Sequence, residues 1–236
     1  MFPLHDENPT SRFIWMTWLI LAANVAVFAW ELWVQATGGD RAFAAFVGAF
    51  TFNPAALAAT PLSPGVWLTV LTAMFMHAGW VHLGGNMLYL AIFGNNIEDR
   101  LGPWRFLAFY LACGVAAALA QSFATGFPAE PVLGASGAIA GVLGAYLLLY
   151  PRARVVTAVF VIFIIELARI PAWVVIGVWF VLQLGAGIAT IGPGQAASGV
   201  AYFAHVGGFL SGMLLIAPAW FADRSRTRFA GWRRAA

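Results

Sequence analysis

The chain has 236 residues, of which 62% are hydrophobic and only 9% are charged. Soluble domains carry about a quarter charged residues, so this composition excludes a water-soluble globule and indicates a polytopic membrane protein. Its single cysteine, Cys113, excludes a disulfide scaffold, and the aromatic and aliphatic content excludes disorder. At about 20 residues for each spanning helix, the length leaves room for about six spans.

Six apolar stretches predict six transmembrane helices. In chain order they cover residues 13–36, 80–96, 103–123, 134–150, 171–189 and 199–220. The connection 37–65 is itself apolar, which predicts a loop in the membrane interface that contains short helices. Segment 155–165 is too short to cross the bilayer. It is rich in valine, isoleucine and phenylalanine, which favours an interfacial segment that can be extended.

The arginines orient these helices, since the chain has no lysine. If both termini are cytoplasmic, Arg41 lies outside and the inside receives Arg12, Arg100, Arg105, Arg152, Arg154, Arg169, Arg224, Arg226, Arg228, Arg233 and Arg234. The positive-inside rule expects this asymmetry. We therefore predict an all-α membrane protein, a six-transmembrane-helix bundle with both termini cytoplasmic. Its parts are an N-terminal segment (1–12), the membrane domain (13–221) and an Arg-rich tail (222–236).

Polar side chains inside spans are costly and often functional, and three predicted spans carry them. The second has His82 and Asn86, the fourth begins near Ser136, and the sixth holds His205. All three spans start at the outer side. With a rise of 1.5 Å per residue, these side chains lie within about 6 Å of one another in depth. The sequence therefore predicts that the four residues occupy one layer of the outer leaflet.

Small residues on two of these helices predict close packing. The fourth span carries Gly137, Gly141 and Gly144, and the sixth carries His205, Gly208 and Gly212 on one stripe. Such stripes let transmembrane backbones approach closely. If they face each other, Ser136 and His205 come within side-chain reach. The alternative is that the glycines only pack helices.

These residue types suit acyl transfer. A serine hydroxyl needs a base, and a neutral histidine is the usual one. His82 and Asn86 lie on one helix face and can donate to an oxyanion, together with the backbone N–H of Ser136. No carboxylate occurs at this depth, which implies a Ser136–His205 dyad. The alternative is that buried histidine and asparagine side chains only join helices through hydrogen bonds.

These motifs resemble those of the rhomboid intramembrane serine proteases. The resemblance covers all six spans and rests on His77-x4-His82-x3-Asn86, Gly134-Ala135-Ser136-Gly137, Ala204-His205-Val206-Gly207-Gly208 and the run Glu98-Asp99-Arg100-Leu101-Gly102. It implies that Ser136 is the nucleophile and His205 the base. It also implies that His82, Asn86 and the Ser136 amide form the oxyanion hole, and that His77 has a structural role.

Two positions depart from the family pattern. Family members often have an aromatic residue one turn after the serine, stacked on the catalytic histidine, and this chain has Ala140 there. The histidine is then expected to be held by another aromatic residue, Tyr202 or Phe203. The alternative is that it is less rigid. The Trp-Arg pair common in the first loop is replaced by Leu68-Thr69, a change that concerns lipid contact more than chemistry.

The resemblance implies an intramembrane serine endopeptidase that hydrolyses peptide bonds in or near transmembrane segments of other proteins. Its expected partners are transmembrane protein substrates and the lipid bilayer, with no nucleic acid, cofactor or metal. The histidines lack zinc-site spacing. A prokaryotic inner membrane is expected, with the active site open to the outer face. The alternatives are a channel or transporter, which would more often show internal repeats, and a non-catalytic scaffold, disfavoured because Ser136 and His205 are both present.

Two segments are candidates for controlling access. The loop 190–198 is rich in glycine and precedes the helix that carries His205, which favours a mobile cap for water entry. The fifth span carries Trp173, Trp179 and Phe180 and is the candidate lateral gate for a substrate helix. The alternative is that these aromatic residues only anchor the span in the interface.

Overall fold

A computed structural model describes residues 2–161, 164–191 and 199–232. The chain is mostly helical and contains three short strands. The elements are β1 Phe2–Asp6, α1 Met16–Phe50, α2 Pro54–Ala59, α3 Pro64–Ala73, α4 Trp80–Leu101, α5 Pro103–Thr125, α6 Ser136–Leu149, β2 Arg154–Val161, β3 Ile164–Pro171, α7 Ala172–Ala189 and α8 Tyr202–Trp232.

Four helices within the described residues are long and apolar enough to cross a membrane. They are α1, α5, α7 and the Tyr202–Phe221 part of α8. The six predicted apolar stretches fall on these helices and on α4 and α6. Helix α4 has 22 residues but carries several polar side chains, and α6 has only 14 residues. The protein is therefore an integral membrane protein built mainly from apolar helices.

The first helix is longer than predicted. It was expected to end at residue 36, but helical structure continues to Phe50 across a break at Gly39, whose φ is 69°. That left-handed conformation favours glycine and lets the chain fold back. The ring of Trp30 then packs on Phe46 and Phe50, with centroids 4.6 and 5.4 Å apart. These ring contacts stabilise helix in place of the predicted loop. The short helices α2 and α3 follow, as expected.

The all-α prediction was wrong in one respect, because the chain also forms a three-stranded antiparallel sheet in the order β1-β2-β3. The extended segment expected at 155–165 falls on most of β2 and on the first residues of β3, which pair antiparallel. The N-terminal segment supplies β1, with Phe2 opposite Ala158 and Asp6 opposite Val155. Pairing between residues this distant in the chain leaves no local pattern in the sequence.

Asp6 attaches this sheet to the helices. Its carboxylate accepts hydrogen bonds from the Tyr146 hydroxyl at 2.6 Å and from the Asn96 amide at 2.9 Å. Burial raises the pKa of the Asp6 carboxyl above its usual value, an effect that the Tyr146 hydrogen bond opposes. The sheet is therefore anchored at the ends of α4 and α6.

Helix α1 begins without a local side-chain cap, and Glu98 of α4 takes that role. Its buried carboxylate accepts hydrogen bonds from the backbone N–H groups of Trp15, Met16 and Thr17 at 2.7–3.0 Å. The first N–H groups of a helix lack intrahelical partners, and a carboxylate there also complements the helix dipole. The acidic run in the last turns of α4 thus fixes the start of α1.

Helix α6 lies at the centre of the bundle, and every residue from Gly137 to Tyr146 is buried. Its backbone lies directly against α8. A Cβ atom added at Gly208 would collide with the carbonyl of Gly137, and one at Gly212 would collide with the carbonyl of Gly141. The two small-residue stripes therefore face each other, as the sequence predicted, and side chains are excluded at these contacts.

This packing predicts that Gly208→Ala destabilises the protein and lowers its activity. The added methyl meets backbone rather than a flexible side chain, so α6 and α8 must separate. Overpacking of this kind costs about 1–3 kcal/mol, and separation moves His205 away from Ser136. Thermal unfolding in detergent measures the effect. The matched control is Gly177→Ala on α7, where a Cβ meets nothing within 4 Å. Equal unfolding temperatures for the two variants would contradict the packing account.

Candidate active site

Ser136 and His205 meet where α6 and α8 begin. Ser136 is the first residue of α6, and His205 lies in the first turn of α8, which starts at Tyr202 rather than at residue 199 as predicted. The imidazole Nε2 lies 2.8 Å from the serine Oγ. The close contact between the glycine stripes allows this approach, so the structure brings the two sequence-predicted residues together.

The other imidazole nitrogen contacts a residue that sequence reasoning missed. Nδ1 of His205 lies 2.6 Å from Oε1 of Gln183 on α7. A carboxamide oxygen only accepts hydrogen bonds, so Nδ1 carries the proton and donates. Nε2 is then unprotonated and accepts a hydrogen bond from the Ser136 hydroxyl. The sequence signal that could have identified Gln183 is that it is the polar residue in an otherwise apolar span.

An aromatic ring packs near the His205 imidazole, but it comes from an unexpected helix. The Trp179 ring of α7 lies 5.8 Å from the imidazole, centroid to centroid, with the planes tilted by 38°. Sequence reasoning expected Tyr202 or Phe203 instead, because Ala140 removes the usual ring on α6. Helix α7 therefore supplies both Gln183 and Trp179 to the same imidazole.

His82 lies beside the loop that precedes the serine. A Cβ atom at Gly134 would sit 2.7 Å from Cε1 and 2.9 Å from Nε2 of His82, and Gly134 has a φ of 117°. Both facts require glycine at that position. Nδ1 of His82 accepts a hydrogen bond from the Ala78 backbone N–H at 3.4 Å. Its Nε2 is then the protonated nitrogen, and that nitrogen lies beside Gly134.

Asn86 is buried and is held by His77. Nδ1 of His77 donates to the Phe75 carbonyl at 3.2 Å, so its Nε2 accepts from the Asn86 amide at 3.0 Å. The His77 backbone N–H in turn donates to Glu31 at 3.1 Å. Burial and the nearby His82 lower the pKa of His77, which keeps it neutral. An asparagine amide has two N–H groups, and this contact uses one of them.

The backbone also contributes to the site. As the first residue of α6, Ser136 has an N–H group without an intrahelical acceptor, and the helix dipole favours negative charge there. Ser136 N–H at the start of α6 and the side chains of His82 and Asn86 in the first two turns of α4 are thus three candidate donors. The described residues contain no cluster of histidine, cysteine, aspartate or glutamate side chains that could hold a metal.

A cavity of about 360 Å³ borders this site, and its lining includes His82, Gln121, Leu133 and Tyr202. Gln121 also accepts a hydrogen bond from the Ala204 backbone N–H at 3.0 Å, which fixes the first turn of α8. Most of the cap predicted at 190–198, with Gly192, Pro193, Gly194 and Ser198, lies outside the described residues.

Comparison with known proteins places these residues in a family. The model of the Rhomboid domain matches residues 64–220, a range that includes Ser136 and His205. RHOMBOID-like protein 2 of Arabidopsis thaliana is 30% identical over 97% of this chain and 76% of its own length. Rhomboid protein 1, mitochondrial, of Saccharomyces cerevisiae is 28% identical over 67% of this chain and 42% of its own length.

A shorter match is closer in sequence. Rhomboid protease GluP of Bacillus subtilis is 43% identical over 36% of this chain, which corresponds to 16% of its own length. The chain thus spans less than half the length of the yeast and Bacillus proteins that it matches. The domain match covers well over half of this chain, and the Arabidopsis match covers nearly all of it. The chain belongs to the rhomboid family.

Proposed function

We propose that the protein is an intramembrane serine endopeptidase that hydrolyses peptide bonds in or near transmembrane segments of membrane proteins. The observation that carries this proposal is the 2.8 Å contact between Ser136 Oγ and His205 Nε2, and the Gln183 oxygen 2.6 Å from Nδ1 favours the tautomer with the proton on Nδ1. In that arrangement the base is oriented to take the hydroxyl proton. The relatives whose names include protease, such as Rhomboid protease GluP, support the same chemistry.

The proposed reaction proceeds through an acyl-enzyme. His205 Nε2 takes the Ser136 proton as Oγ attacks the scissile carbonyl carbon. The oxyanion of the tetrahedral intermediate accepts hydrogen bonds from Ser136 N–H, from His82 Nε2–H and from the second N–H of Asn86. His205 then protonates the leaving amine. Water, activated by the same imidazole, hydrolyses the ester and regenerates Ser136.

The proposed setting is a six-span membrane domain (13–221) between a cytoplasmic N-terminal segment (1–12) and a cytoplasmic Arg-rich tail (222–236). The arginine asymmetry supports this orientation. Helices α4 and α6 are the two that fall short of an apolar span by composition or length, and both are largely enclosed by other helices. The site then opens to the outer face, and the alanine-rich, lysine-free composition favours a prokaryotic inner membrane.

Cleavage by the purified protein tests this proposal. The full chain is reconstituted in liposomes with a single-span substrate, and the products are identified by mass spectrometry. We expect one or a few cuts in or near the substrate's transmembrane segment. Intact substrate, with the protein folded and correctly inserted, would contradict the proposal and favour a non-catalytic scaffold or a channel.

Helix α7 is the proposed lateral gate for the substrate helix. It packs on α8 through Phe180, whose ring stacks on Phe209 with centroids 4.3 Å apart, while Trp173 and Val181 are exposed. One side of α7 is thus largely exposed at these positions, which suits an element that moves. The described contacts of α7 are therefore consistent with opening.

We predict that Phe180→Ala speeds cleavage of a transmembrane substrate several-fold, because it removes the stacking contact with Phe209. Cleavage of a small soluble ester should change little, since the ester enters from the aqueous side. An engineered disulfide between α4 and α7 should have the opposite effect on the transmembrane substrate. The reduced form of the same cysteine pair is the control. Unchanged transmembrane cleavage in the oxidised protein would rule out entry between these helices.

A further inference from the structure

Gln183 has a polar side chain in a helix that otherwise consists of apolar and small residues. Such a side chain is costly within a membrane unless it has a partner and usually serves a function. Its Oε1 lies 2.6 Å from His205 Nδ1, on the side of the imidazole opposite the serine contact. No carboxylate was expected at this depth, and the structure places a carboxamide where a triad would have its third member.

We propose that Gln183 is a positioning residue that holds His205 in the tautomer competent for catalysis, forming a Ser136–His205–Gln183 relay. This role presupposes the proposed protease function and adds a third member to its dyad. Gln183 does not contact the reacting atoms. It acts through His205, as the orienting carboxylate of a catalytic triad does.

The orientation of the amide decides whether the dyad can work. With Oε1 toward the imidazole, Nδ1 keeps its proton and Nε2 is free to accept from Ser136. With the NH₂ group toward the imidazole, Nδ1 would accept and Nε2 would carry the proton. Nε2 would then donate to Ser136 Oγ and could not act as the base. In serine proteases, a catalytic histidine held in the wrong tautomer lowers kcat strongly.

Trp179 lies one turn before Gln183 on the same face of α7, and both side chains contact His205. The imidazole is therefore held at one nitrogen and along its ring by the helix proposed to move for substrate entry. When α7 swings away, both contacts are lost and the tautomer is no longer fixed. The position of the gate and the competence of the base are thus coupled through Trp179 and Gln183. Phe180→Ala keeps both of these side chains, so its closed state retains the contacts with His205.

The neutral amide also limits how strongly the relay stabilises charge. During acyl transfer His205 becomes an imidazolium, and the amide dipole stabilises it without a buried anion. The groups that contact His205 from α6 and α7 are Ser136, Gln183 and Trp179, and none of them is an acid. The ionisable side chain that acts on His205 from α4 is His82. A carboxylate at position 183 would therefore be the first negative charge beside the imidazole.

Substitutions at Gln183 test the role. Hydrolysis of p-nitrophenyl acetate is measured in detergent across pH, because this small ester does not need the gate. Gln183→Leu should lower kcat about 10- to 100-fold with little change in KM, a smaller loss than removal of a triad carboxylate causes. The matched control is Leu182→Ala, an exposed position on the same helix, which should keep the wild-type kcat.

Gln183→Glu should change the pH dependence of the rate, which a purely structural role of Gln183 would not do. A carboxylate that accepts from Nδ1–H favours the charged imidazolium and raises the pKa of His205. Since the base must be neutral, the acidic limb of the rate profile should move to higher pH by about one unit or more. Activity at high pH should be largely rescued relative to Gln183→Leu. A wild-type kcat in Gln183→Leu, or an unshifted profile in Gln183→Glu, would overturn the proposal.

Tautomer measurement separates this proposal from the protease proposal. The chain has four histidines, and ¹⁵N-histidine spectra assigned with His205→Ala report which ring nitrogen is protonated. Wild-type protein should show His205 protonated at Nδ1, and Gln183→Leu should show a mixture. Protonation at Nε2 in an active wild-type protein would overturn the relay. A Nδ1-protonated His205 in a protein that cleaves nothing would instead contradict the protease function and leave the hydrogen bond in place.

Discussion

Ser136→Ala and His205→Ala should each reduce cleavage of a reconstituted transmembrane substrate to background. The first change removes the proposed nucleophile, and the second removes the proposed base 2.8 Å from it. Loss of either member of such a unit lowers kcat by at least about 10⁴-fold. Circular dichroism should show helix content near that of the wild type, because both changes remove side-chain atoms without adding bulk.

Matched substitutions control for nonspecific effects. Ser211→Ala makes the same change on α8, at a hydroxyl that donates to the Gly208 carbonyl in its own helix. His5→Ala makes the histidine change at an exposed position in β1. Both should keep the wild-type rate. Most of the wild-type activity in Ser136→Ala or His205→Ala would show that the dyad assignment is wrong.

Asn86→Ala should lower turnover about 10- to 1000-fold, because it removes one oxyanion donor among three. The amide is buried and held by His77 at 3.0 Å, so its second N–H is fixed in direction before substrate binds. Such preorganisation is the source of oxyanion stabilisation. The measurement is kcat and KM of Asn86→Ala and of the wild type. We expect kcat to fall and KM to change little.

Asn95→Ala is the control for this substitution. It makes the same chemical change on α4, about 13 Å farther along the helix axis, and should leave kcat unchanged. A wild-type kcat in Asn86→Ala would remove Asn86 from the oxyanion hole and leave Ser136 N–H and His82 as its donors.

Much of the helical framework was predictable because local chemistry specifies it. Pro103 stands at the first turn of α5, where its missing N–H costs nothing, and Pro171 immediately precedes α7. The glycine stripes predicted that α6 faces α8, since only residues without a Cβ allow their backbones to touch at Gly137 and Gly208. That contact places Ser136 and His205 together, so the centre of the site followed from residue spacing.

The remaining features depend on contacts between distant parts of the chain. The pairing of β1 with β2 joins residues about 150 positions apart, and Phe2–Asp6 alone shows no strong strand pattern. Glu98 lies in an acidic run that looks like a solvated helix end, yet it caps α1. Gln183 has a partner only because α7 packs beside His205. In each case the role depends on a partner elsewhere in the chain that periodicity does not reveal.

Labelling with a fluorophosphonate tests the central claim most directly, because this reagent phosphonylates a serine only when a nearby base activates it. The full chain in detergent is treated with the reagent, and its intact mass and peptide map are measured. We predict one adduct per chain, located on Ser136, and no adduct in His205→Ala. A folded wild-type protein that forms no adduct, or forms it on another serine, would contradict the account.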